Sequence, residues 1–216
     1  MKKLWLALWV CAALLPRAAA LSAAAAVTMD ADTGETLFAE NADSRLPMAS
    51  TTKIMTALVA LGEGDLDRVY TVKKQYAAVE GSSMYLEEGE RLTLRDTLYG
   101  LLLSSGNDAA AAVAGECGGE RAFVDKMNAK ARELGLTDTR FENPSGLPSD
   151  GHYTTARELA KITAAALRDP VFRDIVSTKT CTAAGRTLVN HNRLLSLYKD
   201  AIGVKTGFTD NARISL

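Results

Sequence analysis

The chain has 216 residues, 47% hydrophobic and 24% charged, with 25 Lys and Arg against 26 Asp and Glu for a formal net charge of -1. That length and apolar content suffice for one buried core. The near balance of charge carries neither the basic footprint of a nucleic-acid binder nor an acidic tail, so no nucleic acid is expected as a partner.

In chain order, Lys2 and Lys3 precede the apolar run Leu4 to Leu15, and Ala18-Ala19-Ala20 offers a small-residue cleavage site. This is the layout of a secretory signal peptide over residues 1–20, and the run is short for a membrane span. Cys11 lies inside that leader, where Leu8-Trp9-Val10 lacks the small residues of a lipoprotein signal. Cys117 and Cys181 remain as separated singletons, read as free thiols, with a disulfide in an oxidising compartment as the alternative. Residues 21–216 are expected to form one catalytic domain.

That domain opens on a hairpin, Val27 to Met29 and Leu37 to Ala39 about a turn at Asp30 to Gly34. A helix is expected over 50–62, where Ile54, Leu58 and Leu61 make an apolar stripe flanked by Met55 and Val59 before Gly62 and Gly64 end it. Thr93 and Asp96 form a T-x-x-D capping box ahead of Leu94, Leu98, Leu101 and Leu102, giving a helix over 93–103. Further helices are expected over 108–116, 121–134 and 155–168, then strands over 179–189 and 201–207. Strands at both ends with helices between imply an α+β fold, an antiparallel sheet carrying both termini and packed with a helical lobe.

Three short runs on this frame bear chemistry: Ser50-Thr51-Thr52-Lys53, Ser105-Gly106-Asn107 and Lys205-Thr206-Gly207. Each alone has a plain structural explanation, as a capped helix start, a turn, or a surface lysine beside a turn. In this order and spacing they form the S-x-x-K, S-x-N, K-T-G pattern of enzymes that acylate a serine. Ser50 and Lys53 are three apart, so on a helix they share a face, and Lys53 is the candidate base for a Ser50 nucleophile. A lysine can serve as base only if desolvation or a nearby cation lowers its pKa, and Lys205 is the candidate cation. Ser105 is expected as a proton relay and Asn107 as a donor to a substrate amide. Lys205 and Thr206 suit a carboxylate, Gly207 lets a ligand backbone lie close, and the N–H of Phe208 pairs with the start of the Ser50 helix as an oxyanion hole.

With these residues in view the sequence resembles the low-molecular-mass penicillin-binding proteins that act as serine D-alanyl-D-alanine carboxypeptidases. The resemblance runs through Asp30-Ala31-Asp32-Thr33-Gly34, Pro47 to Ala57, Leu102 to Ala110, Asn143-Pro144-Ser145-Gly146-Leu147, Tyr153 to Ala160 and Gly203 to Asp210. It implies a β-lactamase/transpeptidase-like fold, with Ser50 as acyl-ester nucleophile, Lys53 as proton acceptor, Ser105 as third catalytic residue, and Lys205 with Thr206 as carboxylate anchor. A basic residue near the third motif, His191 or Arg193, is implied to help hold that carboxylate. The substrate implied is a peptidoglycan stem peptide ending in D-Ala-D-Ala, with β-lactams as inhibitors and the bacterial extracytoplasmic envelope as the site of action. Two other readings stay open, a serine β-lactamase and an inactive penicillin-binding remnant. Against the first, the second motif is S-G-N and no E-x-x-N run falls between Ser105 and Lys205.

His152, in the loop Ser149-Asp150-Gly151-His152-Tyr153, reads as a solvated loop histidine. No cluster has metal-ligand spacing, so neither metal nor cofactor is expected. The chain stops nine residues beyond Gly207, where the family continues with further strands of the sheet, a closing helix and often a membrane anchor. The expectation is a catalytic domain truncated at its C-terminus, with membrane contact only through an anchor this chain lacks.

Overall fold

The structure, a computed structural model, describes residues 23–208; the expected leader and the final residues 209–216 lie outside the described residues. It opens on the expected hairpin, β1 (Ala26–Met29) antiparallel to β2 (Thr36–Glu40). The turn between them is closed by Asp30, whose carboxylate accepts from the backbone N–H of Asp32 and Thr33.

A 3₁₀ turn, Ala49–Thr52, runs directly into α1 (Lys53–Leu61). This helix is the hub of the molecule, touching α3 (Leu94–Leu103), α4 (Asn107–Glu116), α5 (Glu120–Glu133), α6 (Ala156–Ala166) and α7 (Pro170–Ser177). Its buried face is broader than the expected stripe: Ile54, Met55, Ala57, Val59 and Ala60 are buried, whereas Leu58 and Leu61 lie partly exposed at its edge. A helix enclosed on most sides has little room for large residues all round, and alanines take the close approaches.

The capping box at Thr93 forms as expected, Thr93 Oγ1 accepting from Asp96 N at 3.0 Å. Leu94, Leu98, Leu101, Leu102 and Leu103 of α3 are all buried, each contributing about 1.5–3 kcal/mol relative to an exposed side chain. Short elements with no strong sequence signal fill the gaps: β3 (Val69–Thr71) pairs with β4 (Arg91–Thr93), and α2 (Lys74–Ala77) lies between them in sequence.

The expected strand over 179–189 is a hairpin, β5 (Thr180–Ala183) and β6 (Arg186–Val189), turned at Ala184-Gly185 and packed on α3. A single turn of helix, α8 (Leu194–Leu197), follows. The expected strand over 201–207 is not a strand: no ladder forms there among the described residues, because extended backbone becomes a strand only beside a pairing neighbour. For the same reason the antiparallel component among the described residues is three separate two-stranded ladders rather than one sheet. The α+β character and the helical lobe stand. Cys117 and Cys181 are both free.

Candidate active site

The 3₁₀ turn sets the nucleophile. Ala49, just before Ser50, has φ +47°, left-handed backbone that an alanine adopts only under constraint from its surroundings. Part of that constraint is Gly146, itself at φ +89°. A Cβ on Gly146 would stand 1.9 Å from the Ala49 carbonyl oxygen and 2.9 Å from Thr52 Oγ1, so only glycine lets the two segments meet.

Lys53, the first residue of α1, is fully buried among three oxygens. Its Nζ lies 3.0 Å from Ser50 Oγ, 2.7 Å from Asn107 Oδ1 and 2.6 Å from the Ser145 carbonyl. Two of these partners, an amide oxygen and a backbone carbonyl, can only accept. When the amine is neutral, these two can take its two protons, which leaves its lone pair for the third, the Ser50 hydroxyl, which can donate. Burial, and next the charge of Lys205, hold the Lys53 amine well below its ordinary pKa, with Asp108 pulling the other way. The arrangement therefore suits proton transfer from Ser50 to Lys53.

Asn107 is engaged on both sides of its amide: its Oδ1 is held by Lys53 and one proton of its Nδ2 is donated to the Glu80 carbonyl at 2.6 Å. The cause is its place as first residue of α4, packed against the Gly81 turn, whose Ser82 carbonyl accepts its backbone N–H at 2.7 Å. The turn itself is anchored by buried Asp108, whose carboxylate accepts from Ser83 Oγ and from the N–H of Met84 and Leu86.

Ser105 sits in left-handed backbone at φ +61° between α3 and α4, which turns its Oγ toward Lys205, whose Nζ donates to it at 3.0 Å and to the Thr206 carbonyl at 2.7 Å. Lys205 is 1% exposed, and burial pulls its pKa down to about 8. His191 stands close enough that burial and then the Lys205 charge lower its own pKa, and its backbone N–H donates to the Leu103 carbonyl at 3.1 Å. Arg193 is exposed at the start of α8. Gly207 is pressed on the nucleophile turn, where an added Cβ would lie 3.3 Å from both Met48 O and Thr51 N. Thr206 is half-buried and Phe208 exposed, so the chain from Lys205 to Phe208 runs past Ser50 without a ladder of its own. The structure thus gathers Ser50, Lys53, Asn107, Ser105, Lys205, Gly207 and His191 into one region.

Two features escaped the sequence reading. The first is the Ser145 carbonyl. It is aimed by Asn143, whose Oδ1 accepts from the N–H of Ser145, Gly146 and Leu147 and from Ser145 Oγ. A backbone acceptor leaves no mark of its own in a sequence. The second is His152, which is not solvated: it is 4% exposed, its Nε2 lies 2.7 Å from Thr52 Oγ1, and its Nδ1 accepts from Glu142 N at 3.0 Å.

Residues 12–216 match the family described as D-alanyl-D-alanine carboxypeptidase. The chain is 40% identical over 206 residues to D-alanyl-D-alanine carboxypeptidase DacF of Bacillus subtilis, covering 90% of this chain and 53% of that protein. It is 38% identical over 219 residues to a Streptomyces D-alanyl-D-alanine carboxypeptidase, covering 91% of this chain and 75% of that one. Among solved structures it resembles the D-alanyl-D-alanine carboxypeptidase of Mycobacterium tuberculosis, with TM-score 0.84 and 38% identity over 88% of this chain and 74% of that chain. It also resembles a Streptomyces DD-transpeptidase, with TM-score 0.81 and 38% identity over 86% of this chain and 79% of that chain. This chain spans about half the length of the Bacillus relative. With a family match over nearly the whole chain and a half-buried serine beside a buried lysine in the geometry just described, the chain belongs to the D-alanyl-D-alanine carboxypeptidase family.

Proposed function

We propose that this chain is a serine carboxypeptidase that removes the terminal D-alanine from peptidoglycan stem peptides ending in D-Ala-D-Ala, and that β-lactams acylate the same serine. The observation that carries the reading is Lys53, buried between two obligate acceptors with Ser50 Oγ at 3.0 Å. In this mechanism Ser50 Oγ attacks the carbonyl of the penultimate D-alanine as its proton passes to Lys53. The N–H groups of Ser50 and Phe208 stabilise the oxyanion. The tetrahedral intermediate collapses, breaking the peptide bond, and the leaving amine takes a proton relayed through Ser105. Water then attacks the acyl-enzyme, giving the shortened peptide and free Ser50.

Lys205, Thr206 and His191 provide the positive and hydroxyl groups for the terminal carboxylate. Asn107 has one amide proton beyond the bond to Glu80 to offer the peptide. Against the β-lactamase reading, the Glu142 carboxylate is engaged by Ser149, by Gly151 N at 3.2 Å and by Arg140 at 3.3 Å, so it is not positioned as a base for deacylation. The reaction belongs outside the cytoplasm, and the segment 1–20 is proposed as the export leader. No helix among the described residues is long and apolar enough to cross a membrane.

The test is direct. The purified chain is given an acylated lysyl-D-Ala-D-Ala peptide, and D-alanine release is followed together with labelling by a fluorescent penicillin. Release and a lasting label, both abolished by Ser50→Ala, support the reading. Rapid turnover of penicillin without D-alanine release, or labelling that survives Ser50→Ala, sinks it.

A further inference from the structure

We propose that His152 is a positioning residue for the general base: as a neutral imidazole protonated at Nε2, it pins the loop that carries the Ser145 carbonyl to the turn that carries Ser50. The inference rests on the function proposed above.

The tautomer follows from the partners. Glu142 N–H can only donate, so Nδ1 must accept, and the ring proton therefore sits on Nε2 and is donated to Thr52 Oγ1. Thr52 is two residues beyond Ser50 and one before Lys53, and Glu142 is three before Ser145. One ring thus ties the nucleophile turn to both limbs of the loop. Between those limbs, the Pro144 carbonyl accepts from Thr56 Oγ1 at 2.6 Å, the Ser145 carbonyl holds Lys53, and Gly146 presses on Ala49. Phe141 meets the ring edge-on at 5.8 Å between centroids, closing the site on its apolar side.

The surroundings keep the ring neutral. Thr52 and Phe141 bring no charge to it. The one facing charge is the Glu142 carboxylate, which is itself paired with Arg140. Burial outweighs that carboxylate and pulls the pKa to about 4. Without the clamp the Ser145 carbonyl is free to drift from Lys53. The amine then loses one of the two acceptors that aim its lone pair at Ser50, and misplacements of about 1 Å at a reacting pair cost on the order of a hundredfold.

The experiment resolves penicillin acylation into a binding constant and a chemical rate for the wild type, His152→Ala, His152→Gln and Thr52→Val, with Tm recorded for each. Glutamine keeps one donor and one acceptor. The expected result is a chemical rate at least about tenfold lower in His152→Ala and Thr52→Val, binding within about threefold, and recovery in His152→Gln. An unchanged rate in His152→Ala, or a loss in step with Tm that glutamine does not restore, overturns the proposal. Should the alanine variant fail to fold, ¹⁵N ring shifts of the wild type decide: an Nε2–H tautomer that persists below pH 6 is expected, and an Nδ1–H ring or titration near 6.5 overturns it. A wild type that acylates while the variants match it removes only the role of His152. A wild type that does not acylate removes the carboxypeptidase reading as well.

Discussion

Replacing Gly146 with alanine should cripple the site and weaken the fold together. The added Cβ would start 1.9 Å from the Ala49 oxygen and 2.4 Å from its carbonyl carbon, and real Cβ contacts essentially never fall under 3.0 Å. The two backbones must part by about 1 Å, and an alanine at φ +89° adds about 1–2 kcal/mol of its own. Overpacking of this kind costs about 1–3 kcal/mol, so the total is about 2–5 kcal/mol, or roughly 5–15 °C in Tm for a chain of this size. Because Gly146 follows the carbonyl that holds Lys53, and Ala49 precedes Ser50, the same shift separates nucleophile from base. Acylation by a fluorescent penicillin should then fall about a hundredfold. Stopped-flow labelling and a thermal melt on the same preparation measure both. A variant that acylates within about threefold of wild type and melts within about 2 °C of it would refute the claim that this close approach sets the geometry.

Lys53→Arg keeps a cation where a neutral amine is needed, so acylation should drop by at least about a hundredfold, and a near-normal rate would move the base elsewhere. Peptide hydrolysis should decline as pH rises through about 8, where Lys205 loses its proton and with it the charge that meets the carboxylate; Lys205→Arg should shift that limb upward, and a limb that stays put would assign it to another group. The depressed pKa of His152 makes stability fully present above pH 6.5, declining as pH falls and lost by about pH 4, because the unfolded chain takes up the proton first. At about 1.4 kcal/mol per pH unit the loss is about 3 kcal/mol, read as the difference in urea unfolding between wild type and His152→Gln across that window, and equal pH dependence in the two would contradict it.

The separation of Ser50 and Lys53 was legible because one helical turn decides it. The capping box at Thr93 was equally legible, since all its partners lie within three residues. What the sequence hid lies across long separations. The Ser145 carbonyl reaches Lys53 over 92 residues and His152 reaches Thr52 over 100, and neither contact leaves a periodicity. His152 read as solvated because its neighbours Ser149, Asp150 and Gly151 are loop formers, while its burial comes from Phe141 and the nucleophile turn. The bond from Asn107 to the Glu80 carbonyl was hidden for the same reason, since nothing local announces it. The segment 201–207 carries β-formers, but propensity supplies no pairing neighbour, so the strand did not follow. β3 and β4, of three residues each, are too short for alternation to register.

The left-handed backbone at Ala49 and Ser105 bears on how the protein responds to heat. Each conformation costs of order 1–3 kcal/mol and persists only while the packed segments around it over-determine it. Warming relaxes such points first, since local openings need less free energy than the global transition. Both serines should therefore drift from their lysines while the α1 hub is still packed, and catalytic inactivation should precede the calorimetric melt.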